Sequence, residues 1–105
     1  MSLFGLFNSP NIPQVDAEQL RQRMQKEKLF ILDVREVFEH QSQKIPGSTL
    51  IPLGELPQRL SELEKYRGKE IVVYCRSGSR SMSACKFLQS QGFNAINLSG
   101  GIIRW

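Results

Sequence analysis

The sequence predicts an α/β fold built on an open, mostly parallel five-stranded sheet, and three observations carry that expectation. Short apolar runs alternate with longer stretches of helical periodicity, which is the order that βαβ units produce. The run Ile71-Val72-Val73-Tyr74 is continuously apolar rather than alternating, as a strand covered on both faces has to be. At 105 residues with 40% hydrophobic content, the chain is long enough for one continuous core and too short for two.

Residues 1–10 read as an N-terminal apolar arm, and residues 11–105 as the domain. The run Met1 to Phe7 is too short for a secretory core and lacks a basic flank and a small-residue cleavage site. No transmembrane span follows it, and Asn8-Ser9-Pro10-Asn11 punctuates the join. Ile12 to Val15 is expected as a short first strand. Asp16 then caps a helix, with Gln19 at the capping-box position and Leu20 and Met24 turned inward.

Leu29 to Asp33 is the second strand, and it leaves Asp33 at the carboxyl edge where open α/β sheets place their sites. Glu36 to His40 suits a short helix, Ser48 to Ile51 a third strand, and Gly54 to Leu63 a helix interrupted or started around Pro57. The fourth strand is Ile71 to Tyr74. From Ser79 or Arg80 to Gln91 the pattern is helical, with Ala84, Cys85 and Leu88 on one stripe and Gly92 as the stop. Ala95 to Leu98 is the last strand; Gly100-Gly101 turns the chain, and Trp105 is expected to be buried.

Cys75 falls at the carboxyl end of the fourth strand, at the head of the loop Cys75-Arg76-Ser77-Gly78-Ser79-Arg80. A short curved loop opening a helix points successive backbone N–H groups inward, and these with the helix dipole favour an anion at the centre. The natural occupant is the Cys75 sulfur. Arg76 and Arg80 add positive charge as candidate anion contacts, and Gly78 lets the backbone turn where a Cβ would clash. A free cysteine titrates near roughly 8.5, and such surroundings lower it to about 3.5–7.5, so a nucleophile exists at neutral pH without a histidine base. The lone His40 reads as a solvated surface residue. The blander reading of Cys75 is a buried structural cysteine beside an ordinary turn. An arginine at the helix start could likewise pair with Asp33 or Glu36, and Asp33 and Arg35 read as scaffold around the pocket.

Asp33-Val34-Arg35-Glu36 with Ile45-Pro46-Gly47-Ser48 and Ile51-Pro52-Leu53, then Cys75 to Ser81, then Gly92-Phe93, Leu98, Gly100-Gly101 and Trp105 form an ordered set of blocks. In these the chain resembles the single-domain rhodaneses, a sulfurtransferase family. The resemblance implies a three-layer fold, with helices on both faces of the central sheet. It also implies that Cys75 attacks the outer sulfur of a donor, carries it as a persulfide and yields it to a second thiol or to cyanide. The loop Arg76, Ser77, Gly78, Ser79 and Arg80 would then cradle the substrate. Thiosulfate, glutathione persulfide or polysulfide fits as donor, and glutathione or a thioredoxin-like protein as acceptor. Two features depart from the family: Gln43-Lys44 stands where many members carry Gly-His, and the end at Trp105 shortens a final helix.

Two other functions suit the same blocks. A sulfur-carrier or docking module would receive persulfide from one protein and pass it to another. Phosphatases and some arsenate reductases share a similar fold, but their loop puts five residues between cysteine and arginine. Only Arg76, Ser77, Gly78 and Ser79 intervene here, a ring suited to sulfur and tight for phosphate.

Fourteen Lys and Arg against ten Asp and Glu give +4, yet Glu18, Glu27, Glu36, Glu39, Glu62, Glu64 and Glu70 are interspersed among the bases. Nucleic-acid binding is therefore not indicated, and the excess suits attraction of anionic donors. The two cysteines do not suggest a disulfide framework. Cys85 lies too far along the helix to bridge to Cys75, so it reads as core, and a free Cys75 suits a reducing cytoplasm. No metal-ligand spacing or dinucleotide fingerprint occurs, and no cofactor is expected.

Overall fold

The computed structural model describes residues 11–105, so the apolar arm lies outside the described residues. The strands are β1 (Gln14–Val15), β2 (Phe30–Asp33), β3 (Thr49–Leu50), β4 (Glu70–Tyr74) and β5 (Asn94–Leu98). They form one sheet in the order β1-β5-β4-β2-β3, with every pair parallel. Helix α1 (Ala17–Lys26) follows β1, α2 (Val37–Ser42) follows β2, and α3 (Ser79–Ser90) joins β4 to β5.

Alternation along the strands divides the core into two layers. Ile71, Val73 and Cys75 turn to the side where α3 supplies Ala84, Cys85 and Leu88. Val72 and Tyr74 turn to the other side, against Leu20 of α1, Ile45 and Leu98. Because both faces of β4 are covered, its continuous apolar run is the run its position demands. The chain leaves β2 toward β3 and leaves β4 toward β5, so the direction of winding switches between β2 and β4. Asp33 and Tyr74 pair across that switch, at the carboxyl ends where such folds bind their ligands.

Local signals account for the helix ends. Asp16 accepts the Gln19 N–H at 2.8 Å while the Gln19 side chain accepts the Asp16 N–H at 2.9 Å, a reciprocal cap. Helix α3 ends with Gly92 at φ +88°, where Gly92 N–H bonds Gln89 O and Phe93 N–H bonds Leu88 O, both at 3.0 Å.

Several expected elements differ in extent. The first strand pairs only through Gln14–Val15, because Pro13 has no N–H to continue the ladder. The third is reduced to Thr49–Leu50 before Pro52. The helix expected over Gly54 to Leu63 is instead two 3₁₀ segments, Leu53–Glu55 and Leu60–Tyr66. Between them Pro57 withholds the N–H that a continuous helix would require. Trp105 is half-buried rather than buried, with the Arg21 guanidinium 4.0 Å above its ring. Among the described residues no helix is long and apolar enough to cross a membrane, and no group of three or more His, Cys, Asp or Glu side chains could hold a metal ion.

Candidate active site

Cys75 is the first residue beyond β4, and its side chain is almost completely enclosed. Its sulfur is met by three donors: Gly78 N–H at 3.1 Å, Ser81 N–H at 3.4 Å and the Ser81 hydroxyl at 3.3 Å. Gly78 adopts φ +117°, which curls the loop so that these N–H groups converge where α3 begins. Burial by itself pushes the Cys75 thiol up. The Ser81 hydroxyl and the N–H groups of Ser81, Gly78 and Ser77 outweigh it and hold the thiol below its ordinary value. Cys85 shows the opposite outcome ten residues later. Burial without such donors, together with the nearby Cys75 charge, pushes it up to about 12.

The loop is also fastened from behind. Ile102 N–H donates to Cys75 O at 2.9 Å and Ile103 N–H to Arg76 O at 3.2 Å, both from a 3₁₀ turn over Ile102–Arg104. That approach requires Gly101: a Cβ there would lie 2.2 Å from Arg76 O.

The two loop arginines have different settings. Arg76 is exposed. Arg80 forms a two-pronged ion pair with Glu39 of α2, at 2.8 and 2.9 Å. The Arg80 guanidinium holds the Glu39 carboxyl down at about 2. The arginine at the helix start is therefore paired, as one sequence reading allowed, but with Glu39 rather than Asp33 or Glu36.

Asp33 and Arg35 lie together under the same sheet edge. Asp33 is fully buried and accepts from Arg35 N–H, Nε and Nη2 at 2.9, 2.9 and 2.8 Å, and from Tyr74 OH at 3.0 Å. Burial pushes the Asp33 carboxyl up, but the bonds from Arg35 and His40 prevail and keep it below its ordinary value. His40 is not the solvated residue expected: its Nδ1 is 2.8 Å from Asp33 Oδ2, and its side chain is only 16% exposed. Gln43-Lys44, the departure noted in sequence, is held by Arg35 Nη2 donating to Gln43 O and by Ile45 N–H donating to Tyr74 OH. The result is a rigid support on the far face of β4, adjoining Cys75 through the backbone.

Sequence reasoning includes Ser81 only as the end of the Cys75 to Ser81 block, with no role of its own, and does not single out Asn97. Both are buried, and the Ser81 hydroxyl lies 2.6 Å from Asn97 Oδ1. A signal existed: Ser81 falls on the helical stripe of Ala84, Cys85 and Leu88, and Asn97 interrupts the apolar run of β5. A polar residue placed where burial is certain needs a buried partner.

The geometry agrees with comparisons across known proteins. The family model described as Rhodanese-like domain matches residues 16–105. A sulfurtransferase from Allochromatium vinosum is 40% identical over 96 residues, covering 90% of this chain and 88% of that protein. The rhodanese-like domain protein of Staphylococcus aureus superposes with a TM-score of 0.84 at 26% identity, covering 90% of this chain and 91% of that one. The human single-domain sulfurtransferase TSTD1 gives 0.75 at 26% identity, over 90% and 96% of the two chains. With the five parallel strands, the cysteine at the switch point and the matched sequence all in agreement, the chain belongs to the rhodanese-like family of sulfurtransferases.

Proposed function

We propose that this protein moves sulfane sulfur from an anionic donor, thiosulfate or a persulfide, to a thiol acceptor through a persulfide on Cys75. The observation that carries the reading is the set of three donors on a sulfur already held below its ordinary pKa. With thiosulfate, the Cys75 thiolate forms a bond to the outer sulfur while the bond to the sulfonate sulfur breaks, its electron pair leaving with sulfite. An acceptor thiolate then attacks the outer persulfide sulfur, and the electron pair of the broken S–S bond returns to Cys75. Charge begins and ends on Sγ, where fixed N–H dipoles stabilise it without reorganisation.

Arg76 is the exposed cation next to the nucleophile and supplies long-range attraction for the donor. Arg80 is already matched by Glu39, so its part is to hold α2 against the loop rather than to grip a free anion. The four intervening residues keep the ring small, which favours sulfur over phosphate.

The test is intact-mass measurement after incubation with thiosulfate, followed by glutathione or thioredoxin. One added sulfur on the wild type, none on Cys75→Ala, and its removal by small thiols are expected. Equal addition to both proteins defeats the proposal. A loaded sulfur that only a protein thiol can remove would favour the carrier reading, and turnover of an aryl phosphate would revive the phosphatase one.

A further inference from the structure

The Ser81 hydroxyl carries one proton and faces three acceptors: Asn97 Oδ1 at 2.6 Å, Gly78 O at 3.1 Å and Cys75 Sγ at 3.3 Å. Asn97 turns its amide nitrogen toward Gln14 Oε1 at 3.3 Å and Gly78 O at 3.5 Å, so it presents its carbonyl oxygen to Ser81. Ser81 and Asn97 are 0% and 2% exposed, so bulk solvent does not reach either. The hydroxyl can serve one strong acceptor at a time.

We propose that Ser81 is a catalytic residue acting as a rotating donor, and that Asn97 Oδ1 is the acceptor on which its proton rests when Cys75 is not charged. When Sγ is a thiolate, the O–H turns to it. When Sγ is bonded to a second sulfur, the negative charge sits on the outer atom and the O–H returns to Asn97. Neither state strands a buried hydroxyl, whose desolvation would otherwise penalise one half of the cycle. In discharge the acceptor thiolate bonds to the outer sulfur, the S–S bond breaks toward Sγ, and the rotor meets the electron pair as it arrives. Asn97 is then a positioning residue with an unusual sign: it competes with the sulfur for the proton.

The charged or titratable groups around that sulfur are Arg76, exposed in the loop, and Arg80 and Cys85, both on α3, with Arg80 matched by Glu39 from α2. None occupies the Ser81–Asn97 line. The proposal rests on Cys75 being the working thiol, as argued above, but its primary test requires no sulfur transfer.

That test is the pH profile of Cys75 alkylation by iodoacetamide, with folding checked by circular dichroism. Ser81→Ala is expected to move the profile to higher pH and slow alkylation at neutral pH by about tenfold, the loss of one hydrogen bond to a charged group. Asn97→Leu is expected to move it the other way, because the hydroxyl loses the nearer of its two competing acceptors and keeps only Gly78 O at 3.1 Å. An unmoved profile in Ser81→Ala, or an unmoved or upward one in Asn97→Leu, overturns the rotor and leaves Asn97 as a mere prop. If Asn97→Leu does not fold, Asn97→Asp keeps the volume; its carboxylate retains the proton and should shift the profile up, and no such shift overturns the idea. Opposite shifts in a protein that never loads sulfur would preserve the rotor while defeating the sulfurtransferase reading.

Discussion

Arg80 directs both of its terminal nitrogens to Glu39, 41 positions earlier in the chain, at 2.8 and 2.9 Å. The pair ties α2 to the first turn of α3 and neutralises a cation that the loop would otherwise offer to a donor. Glu39→Gln removes the charge but not the shape. The Michaelis constant for thiosulfate should fall about threefold to tenfold, and stability should drop by about 0.5–1 kcal/mol, as for a partly exposed pair. Steady-state kinetics and urea unfolding check both; an unchanged constant would show that Arg80 is out of the donor's reach.

Acid should act through the same carboxylate. Glu39 is depressed from 4.5 to about 2 in the folded protein, and Asp33 is depressed as well. A group lowered on folding binds its proton more readily when unfolded, so its contribution is full above pH 4.5 and is lost as the pH falls toward 2. Urea midpoints should be flat above that range and decline below it, less steeply in Glu39→Gln. A midpoint rising on acidification would contradict this.

Asp33 supports the far side of β4, and removing it leaves Arg35 charged and 4% exposed. Asp33→Ala is expected to lose about 3–5 kcal/mol, the usual cost of an orphaned buried charge. Asp33→Asn should lose less, since it keeps an acceptor. A loss below about 1 kcal/mol in the alanine variant would show that water reaches Arg35.

Gly101 allows the 3₁₀ turn to lie against the loop. Gly101→Ala puts a Cβ 2.2 Å from Arg76 O at φ +65°, so the loop has to move and sulfur loading should fall more than stability does. Gly47→Ala is the control. Its φ of +82° is strained, at about 1–3 kcal/mol, yet nothing lies within 4 Å of the new atom, so loading should persist. Equal loading in both variants would separate the turn from the chemistry.

Cys85 should be inert beside Cys75. Its thiol is buried and pushed up to about 12, so mass mapping after brief alkylation at neutral pH should place the label on Cys75 alone, and Cys75→Ala should take none. Label on Cys85 in the folded protein would indicate that α3 opens.

The features legible in sequence were those written in neighbouring residues. The β4 run, the cysteine that ends it and the glycine that turns the loop are contiguous, so periodicity and turn chemistry sufficed. What escaped was long-range. Glu39 meets Arg80 only because β2 and β4 are adjacent in the sheet, a pairing no local pattern states, and His40 docks on Asp33 only through the way the chain turns from β2 into α2. Ser81 and Asn97 were marked by breaking apolar patterns, but a break says that a partner exists without naming it. The interruption at Pro57 was legible, since proline lacks the N–H, whereas the 3₁₀ form of the segments on either side of it was not.

The bonds from Ile102 and Ile103 to the carbonyls of Cys75 and Arg76 also set an order of assembly. As the chain emerges from the ribosome, the cysteine appears well before the turn that braces its loop, and β5 has to join the sheet between the two events. Until that turn docks, the carbonyls of Cys75 and Arg76 lack these partners, and the loop that aims its N–H groups at the sulfur is unbraced. The full setting of the nucleophile is thus a property of the closed sheet, completed by residues that lie beyond β5 in the chain.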